Sequence, residues 1–280
     1  MQNQAHDNQR VVIVGDVHGD YAVLAQLLRR LGVIDDQGIR QPGFHTIQLG
    51  DYIDGAYRGV PPEWDWHVLE RAETWFDVLL VGNHEPWWAF DLKTGKPGPY
   101  NAAPPPYPAR NRQMLRRLWR TGRLRVAYST GPWLLTHGGV HREHLARHPK
   151  LETAAQWDEY LNQRFREHLV KRGFDPIFDS DGLRSTGGIF WCHLPERSDE
   201  SDESVPQIVG HSHGARPYKF GPAESWCVAD TSGDGVCALL SRRSGGWSPV
   251  FTRYGRSTRH LVKAIWGEDA AEDAHWRRRR

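Results

Sequence analysis

The sequence predicts an α/β fold built on a largely parallel sheet. Two observations carry this. Short apolar runs ending in glycine alternate with amphipathic helical stretches, and five of those runs are followed directly by metal-ligating residue types. The first pattern is that of buried strands joined by right-handed helical crossovers. The second places chemistry at the carboxyl ends of strands, where open α/β sheets gather their ligands.

Arg10-Val11-Val12-Ile13-Val14-Gly15 is the first such run. Asp20 is placed to cap a helix in which Tyr21, Leu24, Leu27, Leu28 and Leu31 recur at helical spacing. A second strand spans about His45 to Leu49, a helix Glu63 to Phe76, and a third strand Asp77 to Val81. Lys93 to Pro108 is rich in Pro and Gly and reads as a loop. Met114 to Trp119 is expected to be helical, followed by strands at Leu124–Ser129 and Trp133–Thr136. Leu151 to Val170 reads as an amphipathic helix with Leu151, Ala155, Leu161, Phe165 and Leu169 on one side. Further strands are expected at Gly188–Trp191, Gln207–Val209, Trp226–Asp230, Val236–Ser241 and Trp247–Tyr254, with an acidic, Ser-rich loop at Glu196–Glu203. A single domain over residues 10–265 is expected, with flexible tails at 1–9 and 266–280.

Composition narrows the class. Hydrophobic residues make up 39% and charged residues 25%, which suits a globular protein with a sizeable core. A net charge of +2 gives no whole-protein field toward nucleic acid or membrane, despite the Arg277–Arg280 run at the end. Neither a signal peptide nor a run of about 18 apolar residues is visible. The three cysteines, Cys192, Cys227 and Cys237, form no Cys-x-x-Cys pair and are a poor disulfide framework. A cytoplasmic protein is expected.

The five strand-end motifs are Gly15-Asp16-Val17-His18-Gly19, Gly50-Asp51-Tyr52-Ile53-Asp54, Gly82-Asn83-His84-Glu85, His137-Gly138-Gly139 and Gly210-His211-Ser212-His213. Each alone is weak, because Asp-x-His decorates many surfaces and Asn-His-Glu often caps a helix. All five in one order, each after a strand, point to one rim. Asp and Asn oxygens with His nitrogens and no Cys suit Mn²⁺, with Fe or Zn²⁺ as alternatives. Two such ions need a bridging anion, and Asp51 is the candidate.

The set resembles the calcineurin-like metallophosphoesterase superfamily, most nearly its phosphoprotein phosphatase branch of Ser/Thr phosphatases and their bacterial relatives. The resemblance runs from about Val11 to His213. It implies a central β-sandwich flanked by α-helices, with a dinuclear metal site at the strand ends. It implies that Asp16 and His18 hold one divalent ion, that Asp51 bridges, and that Asn83, His137 and His211 complete the second. It also implies that His84 is the general acid, oriented and kept charged by Asp54. The expected partner is a phosphorylated protein or a small phosphoester, with no membrane and no nucleic acid. In-line attack by a metal-activated hydroxide is the implied mechanism.

The chain departs from the family at the phosphate clamp. The branch places Arg-Gly directly after the second motif, where this chain has Gly55-Ala56. Arg58-Gly59 restores the pair after a three-residue insertion, and Arg58 is taken as the clamp, the alternative being a surface arginine. The residue before Gly82 is Val81 rather than the family's arginine, so Arg184 is considered as a second phosphate contact. Gly-His-Ser-His resembles the wider superfamily, which makes His213 a candidate additional ligand. Trp64, Trp66, Trp87 and Trp88 could wall the cleft or fill the core. His45, His67, His141 and His193 lie in no motif and read as ordinary surface or core residues. Three other functions stay in view: a dinucleoside polyphosphate hydrolase, a phosphodiesterase or nuclease, and a phospho-group-binding scaffold without turnover.

Overall fold

A computed structural model describes residues 10–55, 63–85, 109–141, 148, 150–171, 175, 177–178, 188–193, 205–212, 218–220, 225–228, 236–243 and 246–253. The elements are β1 (Arg10–Val14), α1 (Tyr21–Arg30), β2 (Phe44–Gln48), α2 (Trp64–Trp75), β3 (Val78–Leu80), α3 (Ala109–Arg120), β4 (Leu124–Arg125) and β5 (Tyr128–Thr130). There follow β6 (Trp133–Thr136), α4 (Ala154–Lys171), α5 (Gly188–Trp191), β7 (Gln207–Val209), β8 (Tyr218–Phe220), β9 (Ser225–Cys227), β10 (Val236–Arg243) and β11 (Gly246–Arg253).

Two sheets result, a six-stranded one in the order β11-β10-β1-β2-β3-β4 and a five-stranded one in the order β5-β6-β7-β9-β8. Strands β1 to β4 are mutually parallel, as the alternation of strands and helices requires. The pleat then sorts side chains to two cores. Val11, Ile13, Ile47, Val78 and Leu80 pack with Trp133, Leu135 and Ile208 between the sheets. Val12, Val14, Leu79 and Leu134 point the other way, into a core shared with the helices. Burial on both faces explains why β1 reads as an unbroken apolar run.

Asp20 caps α1 as expected, its side chain accepting the Val23 N–H at 3.1 Å. Helix α3 is longer than its apolar spacing suggested.

Three expectations are corrected and one strand is added. The strand expected at Leu124–Ser129 is two strands in different sheets. Asn162 of α4 accepts the Val126 N–H at 3.0 Å and donates to the Ala127 carbonyl at 2.9 Å. It thereby occupies the backbone groups that a continuous ladder would use. In α4 the inward stripe is Ala154, Trp157, Leu161 and Phe165, and Ala155 is exposed. The large Trp157 sets the phase of the helix. Gly188–Trp191 is a helical turn. A short apolar run cannot be told from a buried helix by periodicity alone, and here Ile189 and Phe190 enter the core beside Phe165. Strand β8, antiparallel to β9, was not anticipated.

The expected loops at Lys93–Pro108 and Glu196–Glu203 and the terminal tails lie outside the described residues. Among the described residues no helix is long and apolar enough to cross a membrane.

Candidate metal centre and active site

Segments following β1, β2, β3, β6 and β7 meet at one place and are tied together through their backbones. Val17 and His18 both donate N–H groups to the Asp51 carbonyl, at 3.0 and 2.7 Å, and Gly19 donates to Tyr52 at 3.1 Å. Gly210 donates to the His137 carbonyl at 2.8 Å. The His211 N–H reaches the Asp16 carboxylate at 3.2 Å, joining positions 195 residues apart.

This convergence strains the chain. His18, Asp51, Asp54 and His211 have φ of 45°, 53°, 72° and 62°, and they are the only non-glycine residues with left-handed φ among those described. Such conformations cost about 1–3 kcal/mol each and persist where the surroundings over-determine them. Asp and His tolerate them better than branched residues do. Two glycines make the approach feasible. A Cβ on Gly82 would collide with the Asp51 backbone and carboxylate, and one on Gly50 would lie 2.6 Å from Gly82 and 2.7 Å from His137 Nδ1.

The side chains form two groups that share one member. His18, Asp51 and His84 offer ligand atoms within 4.8 Å of one another, and so do Asp51, His137 and His211. Asp51 Oδ2 lies 3.2 Å from His137 Nε2, 3.8 Å from His18 Nε2 and 3.9 Å from His84 Nε2. Asn83 Oδ1 and His211 Nδ1 stand 2.9 and 3.2 Å from His137 Nε2. Asp16 Oδ1 is 3.9 Å from His137 Nδ1.

The donor chemistry fits divalent cations. Three nitrogen or oxygen donors crowd around His137 Nε2 deep in the protein, and lone pairs held that close repel unless a cation or proton lies between them. His211 Nε2 is buried with no hydrogen-bond partner among the described residues. The His137 Nδ1–H donates to the Leu49 carbonyl at 3.0 Å, so Nε2 is the nitrogen turned to the cluster. Electrostatics agree for Asp51 and His211. Burial alone would raise the Asp51 carboxyl, yet His137, His84 and His18 hold it well below the usual range. Burial, His137 and His193 keep His211 neutral, well below the usual imidazole range. Neutral imidazole and ionised carboxylate are the ligating forms.

His84 is set apart by a specific partner. Its Nδ1–H donates to Asp54 Oδ2 at 2.7 Å, while its backbone N–H donates to Asp51 Oδ1 at 3.0 Å. Burial pushes its pKa down, but Asp51 and then Asp54 raise it to about 9. At neutral pH the imidazole holds a proton and can give one up from Nε2.

Three functional neighbours escaped the sequence reading. Glu85 is fully buried and accepts N–H groups from Gly82, Asp51 and Tyr52 at 2.7, 2.9 and 3.0 Å. Asp65, at the start of α2, accepts those of Asp54 at 3.1 Å and Gly55 at 2.8 Å. His193 is no ordinary surface residue, because its ring lies 4.3 Å from that of His211. Only Glu85 carried a local signal, its place in Gly-Asn-His-Glu. Trp66 is half-buried under the Arg110 guanidinium, 4.8 Å from its ring. Arg58, Arg184, His213, Trp87 and Trp88 lie outside the described residues.

The sequence matches the profile of the calcineurin-like phosphoesterases over residues 9–215. It is 26% identical over 158 residues to a bis(5'-nucleosyl)-tetraphosphatase (asymmetrical) of Geobacillus sp. (strain WCH70), a match covering 50% of this chain and 62% of that protein. The chain thus spans less than two thirds of that relative's length. Among solved structures, a cold-active protein-tyrosine phosphatase of a psychrophilic Shewanella sp. has a TM-score of 0.49 and 17% identity, covering 86% of this chain and 80% of that one. A protein serine/threonine phosphatase from Saccharomyces cerevisiae has a TM-score of 0.48 and 16% identity, covering 91% and 82%.

Proposed function

We propose that this chain, a member of the calcineurin-like phosphoesterase family, is a metal-dependent phosphoester hydrolase that removes single phosphoryl groups from alcohol esters. The substrate is then phosphoserine or phosphothreonine in a protein, or a small phosphate monoester. The observation that carries this is the His84–Asp54 pair at 2.7 Å, beside the Asp51 cluster. An alkoxide is a poor leaving group and needs a proton as the P–O bond breaks. A phosphate leaving from an anhydride needs one far less. A carboxylate-oriented, protonated imidazole therefore suits an ester.

In this reading Asp16, His18 and Asp51 hold one ion, and Asp51, Asn83, His137 and His211 the other, with His213 as an additional ligand. Two divalent ions held there would supply charge neutralisation for phosphoryl oxygens and a lowered pKa for water. Mn²⁺ is the proposed pair, and Fe or Zn²⁺ suits the same donors. His84 delivers its Nε2 proton to the leaving oxygen, and Asp54 fixes the ring and stabilises its charge. Arg58 and Arg184 are proposed as phosphate clamps on sequence grounds, since a guanidinium fork matches phosphate oxygens. A cytoplasmic setting accords with Cys192 and Cys227 being buried free thiols.

One observation favours a second reading, hydrolysis of dinucleoside polyphosphates: the tetraphosphatase relative. The test strips metal, restores Mn²⁺, and compares p-nitrophenyl phosphate, a phosphothreonine peptide and diadenosine tetraphosphate, with His84→Asn as control. Metal-dependent release from the peptide, lost in the variant, supports the phosphomonoesterase. Cleavage of the dinucleotide alone moves the protein to the second reading. No turnover of any substrate, with metal bound, sinks both.

A further inference from the structure

Asp65 has no place in any of the five strand-end motifs, yet it is a buried carboxylate, 2% exposed. A lone buried carboxylate is costly and needs partners. Its partners are informative. Both oxygens accept backbone N–H groups from the segment that follows the second motif, Oδ2 from Asp54 at 3.1 Å and Oδ1 from Gly55 at 2.8 Å. Asp54 is one of the four left-handed non-glycine residues, with φ of 72°. Its side chain is the one that grips His84. The carboxylate also packs against the turn after β1. A Cβ added to Gly19 would collide with Asp65 Oδ1 and lie 2.9 Å from the Gly55 Cα.

We propose that Asp65 is the positioning residue of the His84–Asp54 pair. It holds the Asp54 backbone in its strained conformation, so that Oδ2 stays 2.7 Å from His84 Nδ1. The chain of contacts is short and continuous: the Asp65 carboxylate to the Asp54 N–H, the Asp54 carboxylate to the His84 ring. Asp65 sits on the rigid first turn of α2, whose Asp65, Val68, Leu69 and Ala72 are buried against the core. A helix-borne group fixes geometry better than a loop-borne one. These two bonds run to the backbone of Asp54 and Gly55 rather than to a candidate metal ligand, so the loss of Asp65 should weaken proton delivery more than metal binding.

The proposal rests on His84 being the acid, and the test separates the two. Asp65→Asn keeps shape but turns an NH₂ group toward one of the two N–H donors. With the Mn²⁺-loaded enzyme, kcat is measured on p-nitrophenyl phosphate, whose leaving group needs little proton assistance, and on a phosphothreonine peptide, whose leaving group needs much. The kcat ratio of peptide to p-nitrophenyl phosphate should fall about tenfold or more in Asp65→Asn, a part of the roughly 10²–10⁴ a general acid supplies. In the Zn²⁺-loaded protein, the His84 Nδ1 proton held by Asp54 should exchange faster by NMR.

An unchanged ratio in Asp65→Asn, alongside a collapsed ratio in His84→Asn, overturns the positioning role and leaves the acid standing. An unchanged ratio in His84→Asn overturns the acid and the proposal together. If Asp65→Asn fails to fold, Asp65→Ser, whose hydroxyl oxygen is smaller and can accept at most one of the two N–H groups, is measured in the same way, and its ratio decides.

Discussion

The Glu85 carboxylate accepts the backbone N–H of Asp51 at 2.9 Å, across 34 residues of sequence. The candidate bridging residue is thus held from behind by the last residue of a different motif. The carboxyl group is pushed up to about 7, by burial first and then by the charge of Asp51, against the pull of the backbone donors. In Glu85→Gln one donor would face an amide NH₂. Metal affinity should fall about 10–100-fold, as for other groups that orient ligands, and stability by about 1–3 kcal/mol. Mn²⁺ titration calorimetry and denaturant unfolding read both. Unchanged affinity would remove Glu85 from the support of Asp51.

Gly82→Ala should be damaging for a different reason. The new methyl meets the Asp51 backbone and carboxylate, and overpacking of this kind costs about 1–3 kcal/mol. Bound metal per chain should drop sharply. Gly122→Ala is the matched control. Its φ is +71° but open space surrounds the added Cβ, so it should cost about 1–2 kcal/mol from backbone strain alone and leave metal content unchanged. Equal metal content in the two variants would refute the close-approach argument.

Proton release should accompany metal binding. In the cation-free protein burial lowers the His137 pKa, but Asp51 and Asp16 raise it to about 9. A cation at Nε2 must displace that proton. Below pH 9 affinity should therefore rise with pH, by up to about tenfold per unit, and level off above it. Calorimetry in buffers of different ionisation enthalpy counts the protons. A count of zero at pH 7 would show that His137 is already neutral or does not ligate.

Acid sensitivity should trace in part to Asp77, remote from the metal cluster. Burial would raise its carboxyl, but His45, Arg40 and the Thr46 N–H outweigh it and hold it well below the carboxylate range. Arg40 approaches at 2.5 Å and His45 at 3.4 Å. A group depressed in the folded state stabilises above its unfolded pKa of about 3.9, and that contribution is lost as pH falls toward the folded value. Asp77 is more than a third exposed, so solvent screening limits its contribution to about 1 kcal/mol. Asp77→Asn should lower stability by that amount at pH 7 and by progressively less below pH 4. A loss that is the same at pH 7 and pH 3 would show that ionisation is not its source.

Much of this molecule is legible in its sequence because the constraints are local. Val11 to Val14 must be apolar to lie between two cores, Gly82 must be small to admit Asp51, and Gly50 must be small to admit Gly82 and His137. The order of ligand motifs follows from the order of strands. What stays illegible is set by partners far along the chain. Asp65 and Glu85 bind backbone groups up to 34 residues away and leave no periodic trace. Asn162 ends β4 from a helix 36 residues on. Gly188–Trp191 has the composition of a strand but folds as a helical turn, entered through Gly188 with a left-handed φ of 61°, that buries Ile189 and Phe190. His193 gains its place only because the chain brings its ring beside His211.

Strand β1 lies between β2 and β10, with Val11 opposite Leu240. At synthesis rates of roughly 5–20 residues per second, the ribosome needs on the order of ten seconds or more to reach that partner. Until then one side of the nascent β1 presents unpaired amides that invite foreign strands. The protein is therefore most vulnerable while it is still being made, and its yield should depend more on chaperone supply and translation speed than its equilibrium stability would suggest.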